Sequence, residues 1–185
     1  MIKLNAKQLR EATGNSKQSF SASEQAMVKK NEIYIILDNV LDTYNIGSIF
    51  RLADAVAAKK VYLCGGTETP PNHRIKKSSI NTTEWVEWSY KPSTLEAIHE
   101  LRSLNPEVKI IAIEQADKST PFNDYEYKFP IAFIVGHETY GVSKEVLNEC
   151  DAIVELPMFG VNISLNVMVS LGIVMYHALS RLKSE

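Results

Sequence analysis

Short apolar runs alternate along this chain with segments of helical spacing, and polar turns separate them. Residues 33 to 38 (IYIILD) form a continuous apolar run of strand length, the pattern of a strand covered on both faces. Ile49, Phe50, Ala53, Val56 and Ala57 then recur at helical spacing. Residues 60 to 66 (KVYLCGG) predict a second strand ending in a glycine pair, and TETPPNHRIKK beyond it predicts a loop. Residues 85 to 90 predict a third, shorter extended piece. STLEAIHELRSL predicts a helix with Ser93 as N-cap and Glu96 completing a capping box. Residues 108 to 114 and 131 to 136 are again buried-strand runs, VSKEVLNEC a short helix and AIVELP a last strand. A strongly apolar helix closes the pattern. Such alternation predicts an α/β domain over residues 31 to 185, with a mainly parallel sheet flanked by helices.

Composition leaves that picture standing. With 185 residues, 45% hydrophobic and 23% charged, the chain fits one domain with a sizeable core, and disordered, collagen-like and coiled-coil classes are excluded. Two cysteines, Cys64 and Cys150, make neither a disulfide framework nor a paired-cysteine metal signature. The window from 163 to 182 has the length of a membrane span, but Ser164, Asn166, Ser170, Gly172, His177, Ser180 and Arg181 interrupt it. A buried helix or a subunit interface is the simpler expectation. The opening MIKLNAKQLR has no apolar signal core, so a soluble cytoplasmic protein is expected. Charge is uneven: residues 1 to 30 hold six basic and two acidic side chains, the remainder 14 basic and 20 acidic. A basic helical arm, with a capping box at residues 21 to 24, therefore precedes a mildly acidic body.

The common nucleotide fingerprints are missing. No G-x-G-x-x-G follows a strand, and Gly136 and Gly141 lack the lysine of a P-loop, since Val142-Ser143 stands in its place. His73, His99, His137 and His177 are scattered without metal-ligand spacing, so no metal is expected. Three polar clusters remain, each just beyond an apolar strand, where open α/β sheets bind ligands. The first holds Asn45, at a helix start where it can cap or bind, and Arg51, about 200° round the helix from Ile49 and so facing outward. The second, FIVGHETYGVS, delivers the carboxylate of Glu138 between two glycines. The third, VELPMFGVNISLNVMVSLG, sets Ser164 and Asn166 at the start of the apolar helix; an amide in a run fit for burial requires partners.

Taken in order, NIGSIFRLADA, IVGHETYGVS and ELPMFGVNISLNV resemble the three signature motifs of the SpoU (TrmH-like) RNA ribose 2'-O-methyltransferases of the SPOUT superfamily. The resemblance runs from about residue 33 to residue 182, and AIEQ (112 to 115) is similar to the family's strand end beside the cofactor. It implies an α/β sheet ending in a deep trefoil knot, a rare exception to unknotted chains. It also implies a homodimer through the knot region, S-adenosylmethionine as cofactor, and tRNA or rRNA as substrate. By position, Asn45 and Arg51 would face the ribose and phosphate, Glu138 would organise the site through one of them, and Ser164 and Asn166 would line the catalytic pocket. Cofactor contacts would come from Ile113, Glu114, Gly136, Leu156 and Ser164, with Met158 and Leu165 walling the adenine. Arg51 is the family's usual general base, but a guanidinium stays protonated. Phosphate binding with stabilisation of a developing alkoxide suits it better.

Two departures from the family pattern stand out. Met168 and Ser170 replace a usual serine and alanine, and a glycine common near Ala57-Ala58 is missing. With an acidic body, RNA phosphates would be met by local patches: Lys59-Lys60, Arg74 with Lys76-Lys77, and the arm. A base methyltransferase of the same superfamily and a non-catalytic RNA-binding paralogue are the alternatives. The Asn45/Arg51 and Ser164/Asn166 pairings point to the ribose class, and the intact polar positions to catalysis.

Overall fold

The computed structural model of the chain describes residues 29 to 182. The expected capping box at 21 to 24 and nearly all of the basic arm lie outside them. Among the described residues seven strands form one sheet: β1 (Asn31–Asp38), β2 (Ala58–Cys64), β3 (Trp88–Lys91), β4 (Lys109–Ile113), β5 (Thr120–Pro121), β6 (Ile131–Gly136) and β7 (Ala152–Glu155). Their order is β3-β2-β1-β6-β4-β7-β5, and every pairing is parallel. The described residues also form five helices: α1 (Thr43–Ala55), α2 (His73–Ser79), α3 (Thr94–Leu104), α4 (Lys144–Asn148) and α5 (Val167–Leu182).

Strand alternation sorts the apolar side chains into two cores. Ile33, Ile35 and Leu37 of β1 point with Phe133 and Val135 of β6 toward Ile49 and Phe50 of α1 and Leu171, Val174 and Met175 of α5. Tyr34 and Ile36 point the other way, with Ala132 and Ile134, toward Ala97, Ile98 and Leu101 of α3 and Val146 of α4. Burial on both faces explains why β1 and β6 read as unbroken apolar runs. Each fully buried Ile or Leu contributes roughly 1.5–3 kcal/mol of transfer free energy.

The structure corrects several sequence expectations. The stretch read as a loop after β2 contains α2, capped by Asn72, whose Oδ1 accepts from the N–H groups of Arg74 (2.8 Å) and Ile75 (3.3 Å). The extended piece expected over 85 to 90 starts only at Trp88, because a 3-10 turn at Thr82–Glu84 occupies the preceding chain. The stripe expected through Val56 and Ala57 outruns its helix. α1 stops at Ala55, Val56 is its buried C-cap, and Ala57 turns the chain with φ of 50°, a left-handed geometry that favours glycine. The glycine missing from the family pattern near this point therefore has a local cost.

Because all pairings are parallel, the carboxyl ends of β1, β4, β6 and β7 share one edge of the sheet, with Asp38 opposite Gly136 and Ile113 opposite Val154. The three polar clusters all leave from that edge.

Candidate active site

The loop after β6 is folded tightly back on its own strand. His137 and Gly141 exchange both backbone hydrogen bonds (3.1 and 2.8 Å), and Gly141 adopts φ of 68°. A β-carbon on Gly136 would stand 2.2–2.3 Å from the backbone of Gly141 and Val142, so only glycine admits this approach. Glu114, at the end of β4, holds the loop's far side: its carboxylate accepts from the N–H of Val142 (2.8 Å) and of Gln115 (2.9 Å). The loop's geometry thus derives from two glycines and one carboxylate on a neighbouring strand.

Its tip carries Glu138. One carboxylate oxygen accepts from the Leu41 N–H (3.1 Å), the other from the Asp42 N–H (3.0 Å) and from Asn45 Nδ2 (3.0 Å). Asn45 is buried, and its Oδ1 accepts in turn from Asn166 Nδ2 (2.9 Å). Asn166 completes the chain as N-cap of α5, its Oδ1 accepting from the N–H groups of Met168 (3.0 Å) and Val169 (3.4 Å). A single relay, Glu138 to Asn45 to Asn166, therefore joins all three polar clusters. Partial burial pushes the Glu138 carboxyl up, but the bonds donated by Asn45 and by backbone N–H groups outweigh it, and the group ends below its ordinary value.

Of the two tasks open to Asn45, the cap of α1 falls to Asp42, which accepts from the Tyr44 N–H (2.8 Å), and the Asn45 amide enters the relay. Asn166 is exposed rather than buried, and still makes its specific bonds. Ser164 is exposed in the coil two residues before that cap. Arg51 is exposed on α1; no carboxylate pairs with it among the described residues, and Glu138 is organised by Asn45 instead.

A cleft of about 530 Å³ opens beside the relay, between the ends of β4, β6 and β7 and the loop before α5. Ile113, Glu114, Gly136, Glu138, Leu156, Met158, Ser164, Leu165 and Asn166 all line it, whereas Asn45 and Arg51 stand outside the lining. Its lining mixes polar residues such as Glu114, Glu138 and Glu155 with apolar ones such as Ile113, Leu156 and Met158, and its volume lies in the usual range for a small-molecule site. Among the described residues no three His, Cys, Asp or Glu side chains cluster as a metal site, and no helix is long and apolar enough to cross a membrane.

The sequence reasoning missed three contributors. Asp38, only 3% exposed, accepts from Thr94 Oγ1 (2.6 Å) and the Ser143 N–H (3.0 Å), tying β1 to the starts of α3 and α4. Glu155 lines the cleft at the end of β7 and accepts from Ser119 Oγ (2.8 Å). Tyr140 projects from the Glu138 loop, 83% exposed, with its ring 4.7 Å from that of His137. The available signal was positional: an acid ending a buried strand in a parallel sheet faces the ligand edge.

Comparison with known proteins bears directly on this arrangement. The model of the SpoU rRNA Methylase family matches residues 32 to 176, which contain the sheet apart from the first residue of β1 and all three relay residues. The chain belongs to the SpoU rRNA Methylase family. Among SpoU relatives, the tRNA (guanosine(18)-2'-O)-methyltransferase of Aquifex aeolicus is 29% identical over 152 residues, 81% of this chain and 70% of that protein. YacO of Bacillus subtilis, which carries the TrmH-family tRNA/rRNA methyltransferase name, is 28% identical over 154 residues. The match covers 82% of this chain but only 61% of YacO. The crystal structure of the A. aeolicus TrmH/SpoU tRNA modifying enzyme superposes with a TM-score of 0.76 at 25% identity, covering 97% of this chain and 83% of that one. An AdoMet-bound rRNA methyltransferase from Sinorhizobium meliloti gives 0.76 at 28% identity, with 83% of this chain and 58% of that chain covered. This chain thus shares its fold with both of these solved structures.

Proposed function

We propose that this protein transfers the methyl group of S-adenosylmethionine to a ribose 2'-hydroxyl of tRNA or rRNA. The observation that carries the reading is the Glu138–Asn45–Asn166 relay, which locks the three family motifs together beside a cleft of cofactor size. The cleft suits S-adenosylmethionine: Met158, Leu165, Ile113 and Leu156 offer apolar walls for an adenine, and Gly136, Glu114 and Ser164 offer backbone or hydroxyl partners. When bound, the cofactor would supply an activated methyl for the 2'-oxygen, its sulfonium becoming a neutral thioether and the hydroxyl proton passing to solvent.

What this chain's own residues contribute is alignment and charge. In this reading Asn166 holds the ribose at the cleft, Asn45 and Glu138 keep Asn166 in orientation, and Arg51 binds the phosphate beside the target nucleotide. The Arg51 guanidinium remains protonated and stabilises the negative charge that develops on the 2'-oxygen. The proposal includes residues 31 to 185 as one methyltransferase domain, a C-terminal trefoil knot and a soluble cytoplasmic homodimer. Support for the dimer comes from apolar side chains open to solvent: Val169, Ile173 and Tyr176 form one stripe on α5, and Phe159, Val161 and Ile163 lie just before it.

Incubation with labelled S-adenosylmethionine and unmodified tRNA and rRNA transcripts, followed by nucleoside mass spectrometry, tests the reading. A 2'-O-methylated nucleoside is expected. A base-methylated product, or no cofactor binding at all, would refute it. Arg51→Lys keeps the charge but loses the bidentate fork, and a fall in turnover of about tenfold or more is expected. Near-wild-type turnover would exclude the role given to Arg51.

A further inference from the structure

Ion pairing separates the lysine and arginine patches from one another. Lys59 is bound by Glu32 at 2.8 Å, and Lys60 lies 3.8 and 3.9 Å from Glu100 and Glu87. That pair is internally neutralised and does not form the free phosphate patch expected from the sequence. On α2 the situation differs. Lys76 pairs with Glu84 at 3.5 Å, but Arg74 and Lys77 are exposed and, among the described residues, have no carboxylate partner. The helix itself contains no acidic residue.

Its placement gives this charge a direction. α2 is seated closely on α1: Ser78 Oγ donates to the Thr43 carbonyl (3.2 Å), and a β-carbon on Gly47 would collide with Ser78 and with the Ile75 carbonyl. Thr43 and Gly47 thus meet Ser78, and Gly47 also meets Ile75, so the two helices run in opposite senses along their contact. One turn onward on α1 stands Arg51; one turn back on α2 stands Arg74. Both are exposed and unpaired at the same end of the groove.

From this we infer that the α1–α2 ridge is an RNA-backbone docking surface, in which Arg74 and Lys77 bind phosphates flanking the one held by Arg51. The inference rests on the RNA reading of the site and adds to it the track by which the strand arrives. Guanidinium and ammonium groups left without carboxylates on a body with an acidic excess fit a polyanion and no apolar partner.

The test is the salt dependence of binding to total tRNA and total rRNA, measured for wild type and for Arg74→Ala/Lys77→Ala. Lys109→Ala/Lys128→Ala removes the same formal charge from the start of β4 and the segment before β6, where Lys128 pairs with Glu126 at 3.4 Å, and serves as control. Two lost phosphate contacts should lower the slope of log K against log salt by about 1.4–1.8, and weaken binding about tenfold or more at low salt. Cofactor affinity should not change. The control should keep the wild-type slope. An unchanged slope in the Arg74/Lys77 variant, or an equal loss in the control, would overturn the ridge while leaving the methyltransferase reading intact. Absence of RNA binding by the wild-type protein would overturn both.

Discussion

Asn166 performs two tasks with the two ends of one amide, and substitution can separate them. Its Oδ1 caps α5 and its Nδ2 donates to Asn45. Asn166→Ala removes both: the lost cap costs about 1 kcal/mol and the lost side-chain bond about another 0.5–1 kcal/mol at this exposed position. Asn166→Asp keeps an oxygen at the cap and places a negative charge at a helix N-terminus, a gain of roughly 0.3–1 kcal/mol. It also sets a carboxylate against the Asn45 Oδ1. Asn45 cannot resolve this by turning its amide, because its oxygen would then face Glu138; a single donor end cannot serve two carboxylates. Urea unfolding should therefore find Asn166→Asp within about 1 kcal/mol of wild type and Asn166→Ala clearly weaker. Single-turnover methyl transfer should fall in both, by about a hundredfold if the motif loops lose register by an ångström. An Asn166→Asp protein that turns over at the wild-type rate would refute the relay as the organiser of the site.

Three further outcomes are expected. Glu138→Gln should destabilise the protein by about 1 kcal/mol at pH 7, because a carboxylate accepting three N–H bonds is replaced by an amide that cannot accept them all. Since the folded-state carboxyl sits below its ordinary value of 4.5, this contribution is complete above that pH and fades as the pH falls below it. A wild-type-to-variant difference that persists unchanged into acid would contradict the assignment. Ala57→Gly should raise stability by about 0.5–1 kcal/mol in thermal or urea unfolding, as relief of left-handed strain exceeds the added entropy of the unfolded chain. Ile173→Glu should shift the oligomeric state in sedimentation toward monomer without unfolding α5, because the side chain is 39% exposed in the single chain.

Much of this fold was legible because its signal is local. Residues 131 to 136 form β6 with the bounds the apolar run suggested, and Ser93 caps α3 through the Glu96 N–H as its spacing implied. α2 escaped notice because HRIKKSS offers one buried apolar side chain, Ile75, and a single position has no period. Asp38 looked like a polar strand end; its burial depends on Thr94 and Ser143, 56 and 105 residues away. Likewise, the motifs identified Glu138, Asn45 and Asn166, but not which amide end meets which partner. That follows only once Asp42, rather than Asn45, takes the cap of α1. The freedom of Arg74 was hidden for the same reason, since charge partners such as Glu84 for Lys76 are chosen by packing.

The relay has a temporal meaning as well as a spatial one. Asn45 waits 93 residues for Glu138 and 121 for Asn166. During synthesis the sheet can form strand by strand from its N-terminal half, while the three-part contact remains open until α5 has emerged and docked. A chain in which α5 has not yet docked would carry an exposed Arg51 and a half-built cleft, and under the proposed function it could not hold a ribose in line. The relay therefore closes only when α5 docks, which ties the proposed activity to completion of this part of the fold.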